Sequence, residues 1–344
     1  MNVFDLEFNQ LKDILEANNI ASFRAKQIWE WLYVHLVTDY EQMTNLDAKT
    51  KEFMANNYPI IIPKLVQQQE DDVDGTIKVL LALEDDEVIE TVLMKQEYGY
   101  SVCVTSQIGC RIGCSFCASH LGGFKRNLSP GEIVSQVLHF SRILKPRDER
   151  VSHVVVMGIG EPLDNLDNVL GFVNIINDHK GLNIGARHIT VSTSGIVPKI
   201  KEFSEFDKQI NLAVSLHAPN NELRSELMKI NNAYPVEKLM EAINKYIDKT
   251  NRRVSMEYIM INDVNDHKQE AIELSKLLKG MNVHVNLIPF NAVSEYNYSR
   301  SKENVINDFA KVLKDNHIQT TIRYSKGSNI DGACGQLRYK HNND

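Results

Sequence analysis

The sequence predicts an α/β fold with a parallel sheet, open or rolled into a barrel, that follows a small helical module and a β-hairpin. Beyond about residue 100, strand-like apolar segments alternate with amphipathic helical segments. Strict alternation of this kind is typical of a parallel sheet whose strands are joined by crossover helices. In the first 60 residues the apolar positions recur at helical spacing instead, and short polar turns join the predicted helices.

The predicted elements can be placed along the chain in order. The first helices are "FNQLKDILEAN", "SFRAKQIWEWLYVHL" and "TKEFMANNY", and "TIKVLLALEDDEVIETVLM" reads as a hairpin because an acidic turn separates two alternating runs. The later strands are "SVCVTSQIG", "HVVVMGIG", "HITVSTSG", "INLAVSLHA", "RVSMEYIMI", "VHVNLIP" and "TTIRYS". We therefore predict a helical domain at 1–60, a hairpin linker at 61–99, a β/α domain at 100–325 and a C-terminal segment at 326–344.

Composition bounds the class of protein. The chain has 344 residues, 43% of them hydrophobic and 24% charged, which is ordinary globular usage. The acidic start "MNVFDLEFNQ" does not resemble a secretory signal, and no apolar run reaches membrane-spanning length. The five cysteines are odd in number and mostly clustered, which suits ligands or reactive thiols in a reducing compartment. We expect a cytoplasmic protein with no membrane partner.

Net charge gives a weaker indication of partners. The formal charge of −7 argues mildly against a nucleic-acid partner, because phosphate-binding proteins usually gather Lys and Arg. Basic residues nevertheless cluster locally in "FKRN", "NRR", "TIRYSK" and "LRYKH". A solvated surface of mixed sign is the ordinary explanation of any one such cluster.

Three of the cysteines form a ligand pattern. Cys110, Cys114 and Cys117 make C-x3-C-x2-C directly after a predicted strand. A structural zinc ion needs four closed ligands, usually as two separated pairs, so zinc fits poorly. A [4Fe–4S] cluster normally takes four cysteines, and three leave one iron open to a small molecule. The spacing therefore favours a cluster.

The C-x3-C-x2-C loop after the first barrel strand resembles the cluster motif of the radical SAM superfamily. That resemblance implies a partial (β/α)6 barrel and an open iron that binds S-adenosylmethionine, which an electron from the cluster cleaves to a 5′-deoxyadenosyl radical. "GIGEP", with Gly158, resembles the superfamily's GGE-type turn. The S-adenosylmethionine contacts implied by the resemblance are Gly160, Glu161, Ser192, Ser215, Leu216, His217 and Asn291.

A narrower resemblance covers almost the whole chain. The segments "SQIGCRIGCSFCAS", "GFKRNL", "MGIGEPLDN", "STSGIVP", "SLHAPN" and "ACGQL" occur in the order found in the RlmN/Cfr family of RNA adenine methyltransferases. The resemblance implies that Cys334, as an activated thiolate, is methylated by one S-adenosylmethionine. A second one generates the radical that couples this methyl carbon to the base. Cys103 is then implied to attack the Cys334 sulfur, forming a transient disulfide and freeing the methylated RNA.

Further roles follow from the same resemblance. Glu90 matches a family carboxylate that accepts a proton from the substrate adenine or holds its amino group, although a lone acid beside "EDDE" is ordinarily solvated. Pro162 resembles the RlmN branch, which implies methylation at C2 of adenine 2503 in 23S rRNA and of adenine 37 in tRNAs. Two alternatives stay open: methylation at C8, as in the Cfr branch, and a non-catalytic RNA-binding protein that holds a cluster or zinc. Gly332 departs from the family's usual alanine, which predicts a more mobile loop around Cys334.

The resemblance also implies partners. It makes the N-terminal helical domain an RNA-binding accessory domain, in which Arg24 and Lys26 lie beside Trp29 and Trp31. An apolar stripe with aromatic residues is more often core, so we expect one of the tryptophans to be buried. The expected partners are 23S rRNA, tRNA and an electron donor of the flavodoxin or ferredoxin type, and the expected state is a monomer.

Overall fold

The computed structural model describes residues 1–293, 295–327, 329–330 and 334–341. Gly332, for which the sequence predicts a mobile loop, lies outside these residues, and the C-terminal segment 326–344 is described only in part. Within the described ranges, no helix is long and apolar enough to cross a membrane.

The N-terminal module contains three α-helices: α1 (Phe8–Ala17), α2 (Phe23–Glu30) and α3 (Ala48–Asn57). Helix α1 begins at a capping box, in which Gln10 Oε1 accepts the backbone N–H of Glu7. Trp29 is 1% exposed and packs against the rings of Phe8 and Tyr33, so the prediction of a buried tryptophan is confirmed. Trp31 is half-buried.

A three-stranded antiparallel meander follows, where the sequence predicts a two-stranded hairpin. Its strands are β1 (Lys64–Glu70), β2 (Ile77–Ala82) and β3 (Val88–Gln96). The sequence does not indicate strand β1, because its residues are almost all exposed and lack the alternation that identifies a half-buried strand. The meander also continues into the main sheet, because β3 pairs antiparallel with β4 (Gly99–Cys103).

The remaining strands confirm the predicted α/β barrel fold. After β4, the strands β7 (Val151–Val156), β8 (Ile189–Thr193), β9 (Asn211–Ser215), β10 (Val254–Met260) and β11 (Val283–Pro289) complete six parallel strands, and β12 (Gln319–Ile322) adds a seventh beyond them. Two-residue strands β5 (Gln107–Ile108) and β6 (Arg126–Asn127) pair with each other outside this sheet. Strands β1 and β12 are the two edges of this sheet and do not pair with each other, so the barrel is open.

Helices cover the outside of the barrel. They are α4 (Pro130–Leu144), α5 (Leu166–Asn177), α6 (Val197–Phe203), α7 (Asn221–Leu227), α8 (Val236–Thr250), α9 (Lys268–Leu277) and α10 (Glu303–Asp315), and a last helix, α11 (Gln336–His341), follows the barrel. Alternate residues of each strand face the helices and the interior. In β11, for example, Val285 and Leu287 are fully buried, whereas Asn286 and Ile288 line an internal cavity. The fold thereby directs polar strand residues into one cavity.

Candidate functional site

A cavity of about 740 Å³ lies inside the barrel and reaches the carboxyl ends of its strands. In β/α barrels the chemistry takes place at the carboxyl ends of the strands. The cavity brings together most of the predicted site residues, namely Cys103, Cys110, Cys114, Cys117, Gly158, Gly160, Glu161, Ser192, Ser215, His217, Asn291 and Cys334. Glu90 and Leu216 are not among its lining residues.

The loop that carries the three clustered cysteines is shaped by glycines. Gly109 has a φ of +77°, and a Cβ there would meet the carbonyl oxygen of Gly123 at 1.6 Å, so no other residue fits. At the far end of the loop, the carbonyl oxygen of Cys117 accepts a hydrogen bond from the Tyr296 hydroxyl at 3.1 Å. The Ser115 N–H donates to the carbonyl of Leu227 at 2.9 Å. These contacts hold the loop against the barrel rim.

The three thiols fit an iron–sulfur cluster better than zinc. The loop supplies three thiols, one fewer than a closed structural zinc site needs, whereas three thiols leave one iron of a [4Fe–4S] cluster open to a small molecule. Cys114 and Cys117 also pack on a buried apolar cluster that contains Phe116 and Phe290, and such surroundings exclude water.

Protons compete with iron at this loop. Burial raises the pKa of all three thiols, that of Cys110 to about 12. The free thiols are therefore protonated at neutral pH, and metal binding must release their protons.

The "GIGEP" turn packs tightly against the start of the cysteine loop. Gly160 has a φ of +112°, and a Cβ there would meet the Cβ of Gln107 at 2.7 Å. The Gln107 side chain accepts the backbone N–H of Glu161 at 2.8 Å. The Glu161 carboxylate in turn accepts the N–H groups of Leu163 at 3.0 Å and Ser194 at 2.6 Å. Glu161 thus joins the ends of β7 and β8, and burial raises its pKa.

His217 is held in a strained and informative conformation. Its φ of +59° is uncommon for a residue other than glycine. Its ring Nδ1 accepts the backbone N–H of Ile259 at 3.0 Å. Burial lowers its pKa to about 3, so the ring is neutral and Nε2 carries the remaining proton. The cavity therefore has a fixed hydrogen-bond donor at this position.

The other predicted contacts occupy different places on the rim. Ser192 and Ser215 lie within β8 and β9, and Asn291 follows β11 and donates to Ser325 Oγ at 2.7 Å. The Leu216 side chain is fully buried, and the backbone carbonyl of this residue accepts a hydrogen bond from Arg224.

Cys103 and Cys334, which are remote in sequence, meet across the cavity. Both thiols line the cavity, close enough for each to shift the pKa of the other, and the S–H of Cys334 donates to the carbonyl oxygen of Met157, 3.3 Å from Sγ. The hydrogen bond from Cys334 lowers the pKa of Cys103, and Arg323 contributes to the same shift. The contact with Cys103 raises the pKa of Cys334. Electrostatics therefore favour the thiolate at Cys103, whereas the sequence predicts an activated thiolate at Cys334.

The carboxylate of Glu90 is buried and has three partners within the protein. It is 3% exposed and forms an ion pair with the fully buried Lys78, with Nζ and Oε1 3.1 Å apart. Its carboxylate also accepts the backbone N–H of Gly335, next to Cys334, and that of Arg338 at 3.2 Å. In this conformation Glu90 holds the segment that carries Cys334, and it lies behind the cavity wall.

The structure adds residues that the sequence interpretation did not select. Arg224 is fully buried, and within the described residues its hydrogen bonds go to uncharged oxygens rather than to a carboxylate. It donates instead to the carbonyls of Ser194 at 2.6 Å, Leu216 at 3.2 Å and Ser215 at 3.3 Å. Burial lowers its pKa to about 10. Its position in α7, "NELRSEL", gives no sequence signal, because an arginine in a short helix is ordinarily exposed.

Comparisons with known proteins found similar proteins that cover nearly the whole chain. Residues 104–275 match the Radical SAM superfamily, and residues 1–60 match the Ribosomal RNA large subunit methyltransferase N-terminal domain. The chain is 54% identical to a probable dual-specificity RNA methyltransferase RlmN of Staphylococcus saprophyticus over 98% of its own length and 93% of the relative's. The chain belongs to the RlmN family. The identity to the RlmN protein of Geobacillus kaustophilus is likewise 54%, with the same coverage.

A solved structure supports the same assignment. The crystal structure of a radical SAM methyltransferase from Sphaerobacter thermophilus superimposes with a TM-score of 0.94 at 42% identity, covering 98% of both chains. As a member of the RlmN family, the protein is a methyltransferase whose cofactors are a [4Fe–4S] cluster and S-adenosylmethionine. The non-catalytic alternative and the zinc alternative are therefore set aside.

Proposed function

We propose that this enzyme methylates adenine C2 in RNA, with adenine 2503 of 23S rRNA and adenine 37 of tRNAs as targets, and that Cys334 carries the methyl group while Cys103 releases the product. The observation that carries this proposal is that both thiols line one cavity and shift each other's pKa, although different parts of the chain bring them there. The curated relatives are named dual-specificity RNA methyltransferases, which supports the RNA substrates.

The cofactors would be held at one end of the cavity. Cys110, Cys114 and Cys117 would ligate the cluster, and the "GIGEP" turn with His217 would border the S-adenosylmethionine. When bound, the two cofactors supply methyl groups and one-electron chemistry. The chain's own residues exclude water from this end, because Cys114 and Cys117 pack against the buried apolar cluster that contains Phe116 and Phe290.

The first task of the cysteine pair is to accept a methyl group on Cys334. The S–H of Cys334 has two acceptors within reach, the Cys103 sulfur and the Met157 carbonyl. When Cys103 is ionised, its thiolate can take this proton as the Cys334 sulfur becomes the nucleophile, and the lowered pKa of Cys103 favours that ionisation.

The second task is to release the methylated base from Cys334. The Cys103 thiolate attacks the Cys334 sulfur, and an S–S bond forms as the bond between this sulfur and the carbon attached to the base breaks. The electron pair of the broken bond and one proton complete the methyl group. The resulting disulfide needs two electrons from a dithiol reductant before the next turnover.

Glu90 supports this chemistry through its place beside Cys334. The proton-acceptor or amino-binding role that the family resemblance implies would require Glu90 to lose Gly335, Arg338 or Lys78 as a partner. Its present contacts support a role in holding Cys334.

The proposal includes the setting in which the enzyme works. We expect it to act as a monomer in the cytoplasm, with a flavodoxin- or ferredoxin-type protein as electron donor. The N-terminal module is the proposed accessory RNA-binding part, and the exposed Lys26 lies on its surface. Arg24 contributes less free charge, because it pairs with Asp47 at 3.0 Å.

Nucleoside analysis tests the reaction and its position. The anaerobically reconstituted enzyme is incubated with reductant, S-adenosylmethionine and unmodified 23S rRNA or tRNA, and the digested RNA is analysed by mass spectrometry. We expect 2-methyladenosine from both RNAs. Formation of 8-methyladenosine would favour the Cfr-type alternative, and the absence of any methyladenosine would contradict the proposal.

A further inference from the structure

The meander ahead of the barrel binds the C-terminal segment through two aspartates in the β1–β2 turn. Asp74 Oδ2 accepts the backbone N–H of Gly327 at 3.0 Å. Asp71 Oδ2 accepts the backbone N–H of Asn329 at 3.0 Å, and its Oδ1 accepts from the Asn329 side chain at 3.1 Å. Asp71 is only 1% exposed. Carboxylates that accept N–H groups form charge-assisted hydrogen bonds, which are stronger than neutral ones.

The same meander holds the chain on the other side of Cys334. Glu90 of β3 accepts the N–H groups of Gly335 and Arg338. The Arg338 side chain donates to the carbonyl of Val88 at 2.7 Å, and Leu337 packs in a small cluster with Leu80 and Val88. Contacts therefore exist both before Cys334, at residues 327 and 329, and after it, at residues 335–338.

This arrangement ties Cys334 to the strand that carries Cys103. Strand β3 pairs with β4, and Val92 lies opposite Cys103 in that register. Strand β3, which holds the segment of Cys334 through Glu90, is thus hydrogen-bonded to β4, the strand that carries Cys103. Hydrogen bonds on both sides of Cys334 reduce the entropy that its thiol loses on reaching a fixed partner, which raises the effective concentration of the pair.

We propose that Asp71 and Asp74 are positioning residues for the methyl carrier: by anchoring the segment ahead of Cys334 they set the effective concentration of its thiol at Cys103. The proposal rests on the proposed roles of the two cysteines. It assigns the meander a task in the reaction, whereas the sequence predicts only a linker there.

The variant Asp74→Asn separates this anchoring from the shape of the turn. Oδ1 of Asp74 accepts the backbone N–H of Thr76 at 2.9 Å, and Oδ2 accepts that of Gly327. An asparagine amide has one oxygen and can satisfy only one of the two donors. Asp72→Asn is the matched control, because Asp72 is an exposed residue of the same turn and its loss changes the net charge equally.

The readout is the dithiol–disulfide equilibrium of Cys103 and Cys334. The anaerobic holoenzyme is equilibrated in glutathione redox buffers and acid-quenched, and the disulfide is quantified by peptide mass spectrometry. We expect the effective concentration of the pair to fall at least about fivefold in Asp74→Asn and more in Asp71→Asn/Asp74→Asn, since each loses a charge-assisted hydrogen bond. The Asp72→Asn control should stay within about twofold of the wild type.

The outcomes separate the anchoring from the cysteine roles. A purely structural role for Asp74 would lower the melting temperature and leave the equilibrium unchanged, and that result would overturn the proposal. If the wild-type enzyme forms no disulfide between these cysteines in any buffer, the release step under "Proposed function" fails and the anchoring fails with it. If the wild type and Asp74→Asn form it equally, only the anchoring fails.

Discussion

Cys103 and Cys334 differ in their surroundings although they touch each other. Cys103 lies on β4, accepts the hydrogen bond from Cys334 and experiences the positive charge of Arg323. Cys334 donates that bond and experiences the negative charge of Glu90. Two thiols of the same kind are thereby made unequal, which suits one carrier and one nucleophile.

This inequality predicts how fast Cys103 reacts with iodoacetamide as the pH changes. Because its pKa is lowered, its thiolate should form below the ordinary midpoint of 9.0. Cys334→Ala removes the largest cause of the shift, and Arg323→Gln removes a smaller one, so both variants should move the midpoint upward. The rates are measured on Cys103 peptides by mass spectrometry.

Arg253→Gln serves as the control for the loss of charge at Arg323. Arg253 hydrogen-bonds to the exposed Gln319 and is not a cause of the Cys103 shift. Its midpoint should match the wild type. A wild-type midpoint at or above 9.0 would contradict the assignment of the thiolate to Cys103.

At the scale of elements, tight turns between strands and helices build the site. The cysteine loop follows β5, and the "GIGEP" turn follows β7 and packs against Gln107 of β5. These turns were recognisable in the sequence because glycines and cysteines stand at fixed spacings. The contacts that hold them were not, since Arg224 acts from a helix and Glu161 bonds to Ser194, just after β8, as well as to its own turn.

Two glycines with positive φ, Gly160 in the "GIGEP" turn and Gly280 outside it, should respond unequally to replacement by alanine. Gly160→Ala should destabilise the protein by more than about 3 kcal/mol and weaken S-adenosylmethionine binding, because its Cβ would collide with Gln107. Gly280→Ala has the same kind of backbone but open space around it, so about 1 kcal/mol and unchanged binding are expected. Urea unfolding and ligand-binding titrations measure the two effects, and equal losses in both variants would contradict the packing argument.

At the scale of the whole molecule, the parallel sheet and its crossover helices could be predicted from the sequence. The alternation of strands and helices left the sheet open or closed, the family resemblance implied the partial barrel, and the cysteine spacing indicated where the chemistry lies. Strand β1 could not be predicted, because exposed residues such as Gln67 and Gln68 carry no alternation. The contact between the meander and the C-terminal segment could not be predicted either, because single aspartates that accept backbone N–H groups leave no pattern.

Ion pairs within the protein reduce the number of basic residues whose charge is available to RNA. Arg126 of "FKRN" forms ion pairs with Asp85 at 2.7 Å and Glu132 at 2.8 Å, and Lys125 pairs with Glu87. This cluster joins the β2–β3 turn to α4, so its charge is largely neutralised. Arg323, by contrast, is exposed and lines the cavity. The acidic chain thus keeps a positive charge in the cavity that Cys103 and Cys334 line.

The central claim is that Cys334 bonds covalently to RNA and Cys103 releases it. The direct measurement is anaerobic turnover of Cys103→Ala with RNA, followed by denaturing electrophoresis and peptide mass spectrometry. We predict accumulation of an RNA adduct on Cys334, and none in Cys103→Ala/Cys334→Ala. Normal release of methylated RNA by Cys103→Ala, with no adduct at any time, would contradict the account.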